Sequence, residues 1–197
     1  TQKSFKRDIV TEVAATLAFS AIQNNDKIGV IFFSDKIEKY IPPKKGRKHI
    51  LFIIRELLDF KPQSRKTDIK QAVEFLTGVM KRKCTAFLMS DFYTQEEFEK
   101  SLTICNRKHD LVALQVYDHR DVDLPDVGLM KVKDAESGHE MYIDTSDRKL
   151  RTAHANYWRN RQKMLSDIFN NSNVDNVSIA TNQDYVKALM QLFAMRR

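Results

Sequence analysis

Serine, threonine and aspartate residues follow several apolar segments of the chain, at the points where strands are expected to end. The pairs are Ser34 with Asp35, Thr67 with Asp68, Ser90 with Asp91, and Asp118 with His119. Hydroxyl and carboxylate oxygens are the ligands that hard cations such as Mg²⁺ and Mn²⁺ prefer. If the pairs meet at one edge of a sheet, the chemistry they offer is the binding of such a cation.

Most of these residues also have a purely structural interpretation. Asp68 precedes an apolar helical pattern and is suited to capping the start of a helix. Ser34 and Asp35 are typical of a hairpin turn, and residues 118–123 of a solvated acidic loop. The carboxylate that the sequence places most firmly as a ligand is therefore Asp91.

Other kinds of chemistry find little support in the sequence. The chain has five glycines, no two of which form a phosphate-binding loop, and it has no G-x-S-x-G motif. Cys84 falls in a predicted strand and Cys105 on a predicted helix, without metal-ligand spacing. Nothing visible demands an enzyme, and two cysteines without a secretory signal pattern favour a reducing, cytoplasmic setting.

The chain is basic. Thirty-three Lys and Arg residues stand against 26 Asp and Glu, so the net charge is +7. Such a surface favours acidic partners, whether protein, anionic lipid or nucleic acid. The aromatic residues lie mostly at core spacing, so a solvated basic surface is favoured over specific nucleic-acid binding.

Alternating apolar segments predict an α/β protein, with a mostly parallel sheet covered by helices on both faces. The predicted helices span 5–23, 47–58, 67–80, 95–107, 150–170 and 185–195, and the predicted strands span 28–33, 36–41, 84–90, 111–117, 129–133, 140–143 and 174–179. The strand at 28–33 is expected to be buried on both faces, and the strand at 36–41 to lie at an edge and end at Pro42–Pro43. Residues 129–143 are expected to form a small antiparallel hairpin around Ser137–Gly138. The long helix at 150–170 is expected to bury Tyr157, Trp158, Met164, Leu165 and Ile168.

The pattern is a single domain over residues 1–197 whose first element is a helix. Doubly wound folds normally open on a strand, so we expect a strand to be missing before this helix and the domain to be incomplete at its N-terminus.

Several segments resemble the DUF58 family, whose members carry a von Willebrand factor A-like (vWA) domain. The resemblance covers essentially the whole chain and is carried by residues 6–21, 25–35 and 41–47, with Lys66-Thr67-Asp68-Ile69, Leu88 to Phe92 and the closing Asp184-Tyr185-Val186. It implies a vWA-like, Rossmann-like sheet with a metal site in which Thr67 and Asp91 are ligands to Mg²⁺ or Mn²⁺. The family's Asp-x-Ser-x-Ser loop is absent from these residues, so this chain is expected to bind metal weakly or not at all. An open sheet edge beside residues 28–33 is also expected, which would allow dimerisation.

The resemblance further implies a noncatalytic protein–protein interaction module. It would work with a MoxR-type AAA+ ATPase or its client in protein assembly or maturation, and a divalent metal would bridge to an acidic side chain of the partner. The alternative is a metal-dependent phosphoryl hydrolase or nuclease that uses Asp91 with Asp35 or Asp118. A structural role with an inactive metal site also stays open.

Overall fold

The computed structural model describes residues 6–94, 96–133 and 139–196. Its helices are α1 Lys6–Gln23, α2 Arg47–Asp59, α3 Ile69–Val79, α4 Glu99–Lys108, α5 His119–Val122, α6 Arg148–Asn171 and α7 Tyr185–Met195. Its strands are β1 Ile28–Phe33, β2 Ile37–Lys44, β3 Thr85–Ser90, β4 Asp110–Tyr117, β5 Leu129–Lys133, β6 Glu140–Asp144 and β7 Asp175–Ala180. The α/β class and the main elements predicted from the sequence are confirmed.

A parallel three-stranded sheet in the order β3-β4-β7 forms the centre of the fold. Side chains of β4 alternate between two cores, as the period of a strand requires. Leu111 and Ala113 pack with α3, α4 and α6 on one face. Val112, Leu114 and Val116 pack with α1 and α7 on the other. The sheet is therefore covered on both faces, as expected from the mostly apolar sequence of β4.

The strand β1 does not belong to this sheet. It pairs antiparallel with β2, and within the described residues these two strands form a separate sheet. Phe32 is the one residue of β1 that is buried, so the prediction that the strand would be buried on both faces is confirmed only in part. Phe32 packs in a small core with Ile41 and Ile53, and the partly buried Phe33 packs against the core of α3, α4 and α6. Among the described residues, β1 and β3 each have one edge without a strand partner.

The hairpin of β1 and β2 is longer than predicted because β2 continues through Pro42 and Pro43 to Lys44. Proline is tolerated there since β2 has a strand partner on one side only. The pairing shifts register between Ile28 and Val30. At this irregularity, a Cβ on Gly29 would lie 2.6 Å from the carbonyl oxygen of Ile41, so a side chain has no room.

The remaining differences concern the ends and faces of helices. Helix α4 begins at Glu99 rather than at residue 95, and the long helix α6 leaves Tyr157 and Met164 about half exposed instead of buried. These two lie seven residues apart on one stripe, roughly 100° around the helix from the buried Leu165. The β5–β6 hairpin is confirmed, whereas its predicted turn at Ser137–Gly138 lies outside the described residues.

Among the described residues, no helix is both long enough and apolar enough to span a membrane.

Candidate functional site

The loops that follow β1 and β3 meet the start of α3 at one edge of the fold. The amide of Asp68 donates to the carbonyl oxygen of Ser34 at 2.8 Å, and the Thr94 hydroxyl donates to the carbonyl oxygen of Thr67 at 2.9 Å. We call this edge the carboxyl-end rim and define it as residues 34–36, 67–68, 90–94 and 118–121. Direct contact therefore joins two of the four predicted pairs, Ser34 with Asp35 and Thr67 with Asp68, and Thr94 joins the loop that carries the third pair, Ser90 with Asp91, to Thr67.

The fourth segment of the rim is joined to the others by Lys6, the first described residue of α1. Its Nζ lies 3.3 Å from Oδ2 of Asp91 and 2.7 Å from Oδ2 of Asp121. All three side chains are between 36% and 38% exposed. Burial alone would lower the pKa of Lys6, but the hydrogen bond to Asp121 and the charges of both carboxylates outweigh it and raise that pKa. The cation at this rim is thus an ammonium group that is charged at neutral pH.

Asp91 is held firmly by the chain around it. Its Oδ1 accepts a hydrogen bond from the Tyr93 amide at 3.1 Å, and the Ser90 hydroxyl accepts one from the Phe92 amide at 3.0 Å. Phe92 adopts a left-handed backbone conformation, with φ at 55°, which is unfavourable for a bulky residue. Its ring is 1% exposed and packs edge-on against Phe169, with ring centroids 5.1 Å apart. Burial of this ring offsets the backbone strain and fixes the direction in which Asp91 points.

Helix α6 adds a second cation to the same loop. The Arg161 guanidinium lies 4.3 Å from the centroid of the Tyr93 ring and donates a hydrogen bond to the carbonyl oxygen of Phe92. Two contacts therefore hold the loop after β3 in place: the buried ring of Phe92 and the Arg161 guanidinium on Tyr93.

The hydroxyl of Thr67 has no hydrogen-bond partner among the residues that the structure describes, although its carbonyl oxygen is engaged by Thr94. Its neighbour Asp68 is the N-cap of α3 and accepts a hydrogen bond from the Gln71 amide at 2.8 Å. The structural interpretation of Asp68 is confirmed. Thr67 remains the side chain of this pair that is available for a ligand.

The two carboxylates that the hydrolase alternative needs have local structural roles. Asp35 accepts from the Ser34 hydroxyl at 3.3 Å within the β1–β2 turn. Asp118 caps α5 and its Oδ2 accepts from the Thr181 hydroxyl at 3.3 Å. No contact within the described residues joins either of them to Asp91, so no observation favours this alternative.

Residues 118–123 were expected to be a solvated acidic loop; none of the six is buried, so the segment is solvated, but it is not a loop. They contain the short helix α5, in which Asp118 and Asp121 form a reciprocal capping box. His119, which the sequence paired with Asp118 as a candidate ligand, is exposed. Its Nδ1 lies 4.0 Å from Oδ2 of Asp123. Sequence reasoning missed Asp121, although the three-residue spacing of Asp118 and Asp121 is the signal of such a box.

The rim offers few free oxygen ligands for a divalent metal. Oxygen ligands of the right kind are present in Thr67 and Asp91, but both oxygens of Asp91 are already engaged, by Lys6 and by the Tyr93 amide. Over residues 6–94, 96–133 and 139–196, no group of three or more His, Cys, Asp or Glu side chains could hold a metal ion. Thr67 and Asp91 therefore do not make a metal site by themselves.

A polar hollow of about 560 Å³ lies at the opposite end of the sheet and is lined by Lys83, Cys84, Thr85, Asn106, His109 and Asp110. Cys84 Sγ lies 3.5 Å from His109 Nδ1. Burial raises the pKa of the Cys84 thiol and lowers the pKa of His109, so the pair is a neutral thiol beside a neutral imidazole at pH 7. This supports a structural role for Cys84, because thiolate is the reactive form.

The fold and the sequence both have recognisable relatives. An uncharacterised protein of Mycobacterium tuberculosis is 26% identical over 196 residues, which cover 98% of this chain and 61% of that protein. The chain thus spans about three fifths of the length of this relative. The crystal structure of the conserved hypothetical protein BatB from Bacteroides thetaiotaomicron matches with a TM-score of 0.57 and 14% identity, covering 94% of this chain and 87% of that one.

An aerotolerance-related membrane protein from Bacteroides fragilis has a solved structure that matches equally well. Its TM-score is 0.57 at 14% identity, and the match covers 94% of this chain and 89% of that one. At this identity the two structures establish the fold alone. A family model, that of the protein of unknown function DUF58, matches residues 1–164. Since that match extends over most of the sequence, the chain belongs to the DUF58 family.

Proposed function

We propose that this chain is a noncatalytic protein–protein interaction module and that the carboxyl-end rim is its contact surface. The observation that carries the proposal is the presentation of Asp91. Its carboxylate is 38% exposed, yet hydrogen bonds and the buried Phe92 ring fix its direction. A charged group that is both accessible and rigid loses little conformational entropy on binding a partner.

The charge at the rim indicates how a partner would be recognised. Asp91 and Asp121 share the single ammonium of Lys6, so this cluster keeps a net negative charge. Such a cluster attracts a further cation. The family resemblance implies that this cation is Mg²⁺ or Mn²⁺, with Thr67 and Asp91 among its ligands and an acidic side chain of the partner completing the shell. Lys6 would have to leave Oδ2 of Asp91 for such a metal to bind. Bound there, the metal would supply the positive charge that a partner's carboxylate needs.

The family resemblance also suggests the partner. It would be a MoxR-type AAA+ ATPase, or a client of one, in the assembly or maturation of other proteins. The fold neighbour from Bacteroides fragilis, described as aerotolerance-related, is compatible with such an accessory role.

The test is direct binding between the purified chain and a MoxR-type ATPase from the same genome. We expect Asp91→Asn to weaken binding by at least about tenfold, the loss of one good charged contact. Asp167→Asn is the matched control, because Asp167 is exposed on α6 and lies outside the carboxyl-end rim. We expect that variant to bind like the unchanged chain.

Three outcomes would overturn parts of the proposal. Absence of binding, or equal binding by the Asp91→Asn variant, would remove the rim as the contact surface. Binding that is unchanged by a metal chelator would remove the metal bridge while leaving the module. Metal-dependent hydrolysis of a phosphate ester that is lost in Asp91→Asn would show that the chain is an enzyme.

A further inference from the structure

The two ends of the sheet differ in charge. At the carboxyl ends of the strands, the loops 34–36, 59–68, 91–94, 96–98, 118–128 and 181–184 carry eleven acidic and five basic residues. At the amino ends, the segments 24–27, 44–48, 80–84, 107–110, 172–175 and residue 196 carry eleven basic and three acidic residues. The excess at the amino ends is larger than the net charge of +7 of the whole chain.

Contacts in the fold place these basic segments on one side of the molecule. Thr85 pairs with Asp110 and Val112 pairs with Asp175, so the segments that enter β3, β4 and β7 lie side by side. In the hairpin, Lys44 lies opposite Ile28, which puts the end of β2 beside the start of β1.

The turn of the β1–β2 hairpin lies at the same end of the fold as the carboxyl ends of β3, β4 and β7. It touches α3 through Ser34 and Asp68 at the carboxyl-end rim. Helix α1 starts at that rim with Lys6, and its 18 residues carry the chain about 27 Å away before β1 begins. The amino ends of β3, β4 and β7, the start of β1 and the end of β2 therefore all lie on the side opposite the rim, with the basic segments.

Ten of the eleven basic residues at this end are exposed, and we call them the basic face: Lys27, Lys44, Lys45, Arg47, Lys48, Lys81, Arg82, Lys83, Arg107 and Lys108. None of the ten forms an ion pair with an acidic side chain within the described residues. The eleventh, Arg196, forms ion pairs with two of the three acidic residues, Asp110 and Asp175. Lys81 and Lys108 also donate to the last carbonyl oxygens of α3, which leaves their charge in place.

A single-sign surface of this size repels itself unless a partner supplies the opposite charge. Seven of the ten residues are lysines, which act as hydrated point charges and suit diffuse attraction better than directed reading of bases. Leu51 and Phe52, 49% and 45% exposed, follow the basic start of α2, and Met195, 73% exposed, precedes Arg196. Apolar side chains beside lysines are typical of surfaces that sit in the headgroup layer of a membrane.

We propose that the basic face docks this domain onto an anionic phospholipid surface, with the carboxyl-end rim turned away from the membrane. This inference is independent of the proposed partner at the rim, since it rests on residues at the other end of the sheet.

The test is binding of the chain to vesicles of phosphatidylcholine, with and without about 30% phosphatidylglycerol. We expect binding to the anionic vesicles alone at about 0.05 M salt, and its loss at about 0.5 M salt. The four-site variant K44Q/K45Q/K48Q/K83Q should bind on the order of a hundredfold more weakly, because each lysine near such a surface contributes several-fold to affinity.

The matched control removes four exposed basic residues from the other end of the fold, K61Q/R65Q/K66Q/K70Q. It has the same net charge as the first variant and should bind within about threefold of the unchanged chain. Thermal unfolding of both variants shows whether they are folded. If the first one is not, the pair K44Q/K45Q replaces it, with a loss of about tenfold expected.

Several results would overturn the proposal. Equal binding to neutral and anionic vesicles would exclude recognition of lipid charge, and equal losses in both four-site variants would exclude the basic face as its location. Tighter binding to a nucleic-acid duplex than to the anionic vesicles, lost in the first variant alone, would assign the face to nucleic acid.

Discussion

Replacing Lys6 by glutamine tests whether its ammonium holds the carboxyl-end rim together. The substitution removes two ion pairs and leaves Asp91 and Asp121 facing each other without a cation between them. Because the three side chains are more than a third exposed, solvent screens each pair, and each contributes about 0.2–1 kcal/mol. We therefore expect the free energy of unfolding to fall by about 1 kcal/mol, which lowers Tm by about 2–4 °C in a domain of this size.

The pH and salt dependence of this loss follow from the same contacts. The pKa of Lys6 is raised in the folded chain, so its contribution is fully present below the unfolded value of 10.5. It should be constant from neutral pH to about 10.5, decrease as the pH rises from there toward the higher folded pKa, and be absent above that pKa. High salt should reduce the difference between the variant and the unchanged chain, because the pairs are near the surface.

Thermal unfolding at low and high salt measures both effects. Lys70→Gln is the control, since Lys70 is an exposed lysine on α3. A double variant with Asp121→Asn completes the cycle that isolates the Lys6–Asp121 pair. Equal stability of Lys6→Gln and the unchanged chain at low salt, or a loss that salt does not reduce, would refute the assignment of Lys6 as the cation that binds these two carboxylates.

Three other changes test the parts of the fold that position the rim and its surroundings. Phe92→Ala removes a side chain that is 1% exposed and should lower the free energy of unfolding by about 3–5 kcal/mol, measured by denaturant titration; a loss below about 1 kcal/mol would contradict its anchoring role. Gly29→Ala places a methyl group 2.6 Å from the Ile41 carbonyl oxygen and should cost about 1–3 kcal/mol by the same titration, whereas Gly78→Ala, where space is open, should not destabilise the chain. The thiol of Cys84 has a raised pKa, so its reaction with a disulfide reagent should be slow at pH 7 and accelerate with rising pH beyond the range of an ordinary cysteine; fast labelling at pH 7 would contradict the neutral Cys84–His109 pair.

The sequence predicted the elements well because apolar periodicity reports burial. The predicted bounds of β4 and α7 agree with the observed bounds to within one residue, because β4 is mostly apolar and α7 has regularly spaced apolar residues. The same signal does not specify which element provides the cover. That is why β1 was placed in the main sheet, whereas it pairs with β2 and packs on α2.

The candidate site was predicted in part for a related reason. Asp91 was found because it follows a strand, and the position of a strand end can be read from local sequence. Lys6 was not found, because it lies 85 residues from Asp91 in the sequence and meets it through the packing of α1 on the sheet. Asp121 was missed because a short helix was interpreted as a loop.

The separation of the β1–β2 hairpin from the parallel sheet has a consequence for how the domain loses structure. No backbone ladder in the described residues connects the two sheets, so they are coupled through helices, through side chains such as Phe33, and through the hydrogen bond that joins the hairpin turn at Ser34 to the start of α3 at Asp68. Sub-global opening of the hairpin can then occur while β3, β4 and β7 remain paired. Amide hydrogen exchange would divide the chain into two protection classes, with the slowest exchange in β4 and faster exchange in β1 and β2.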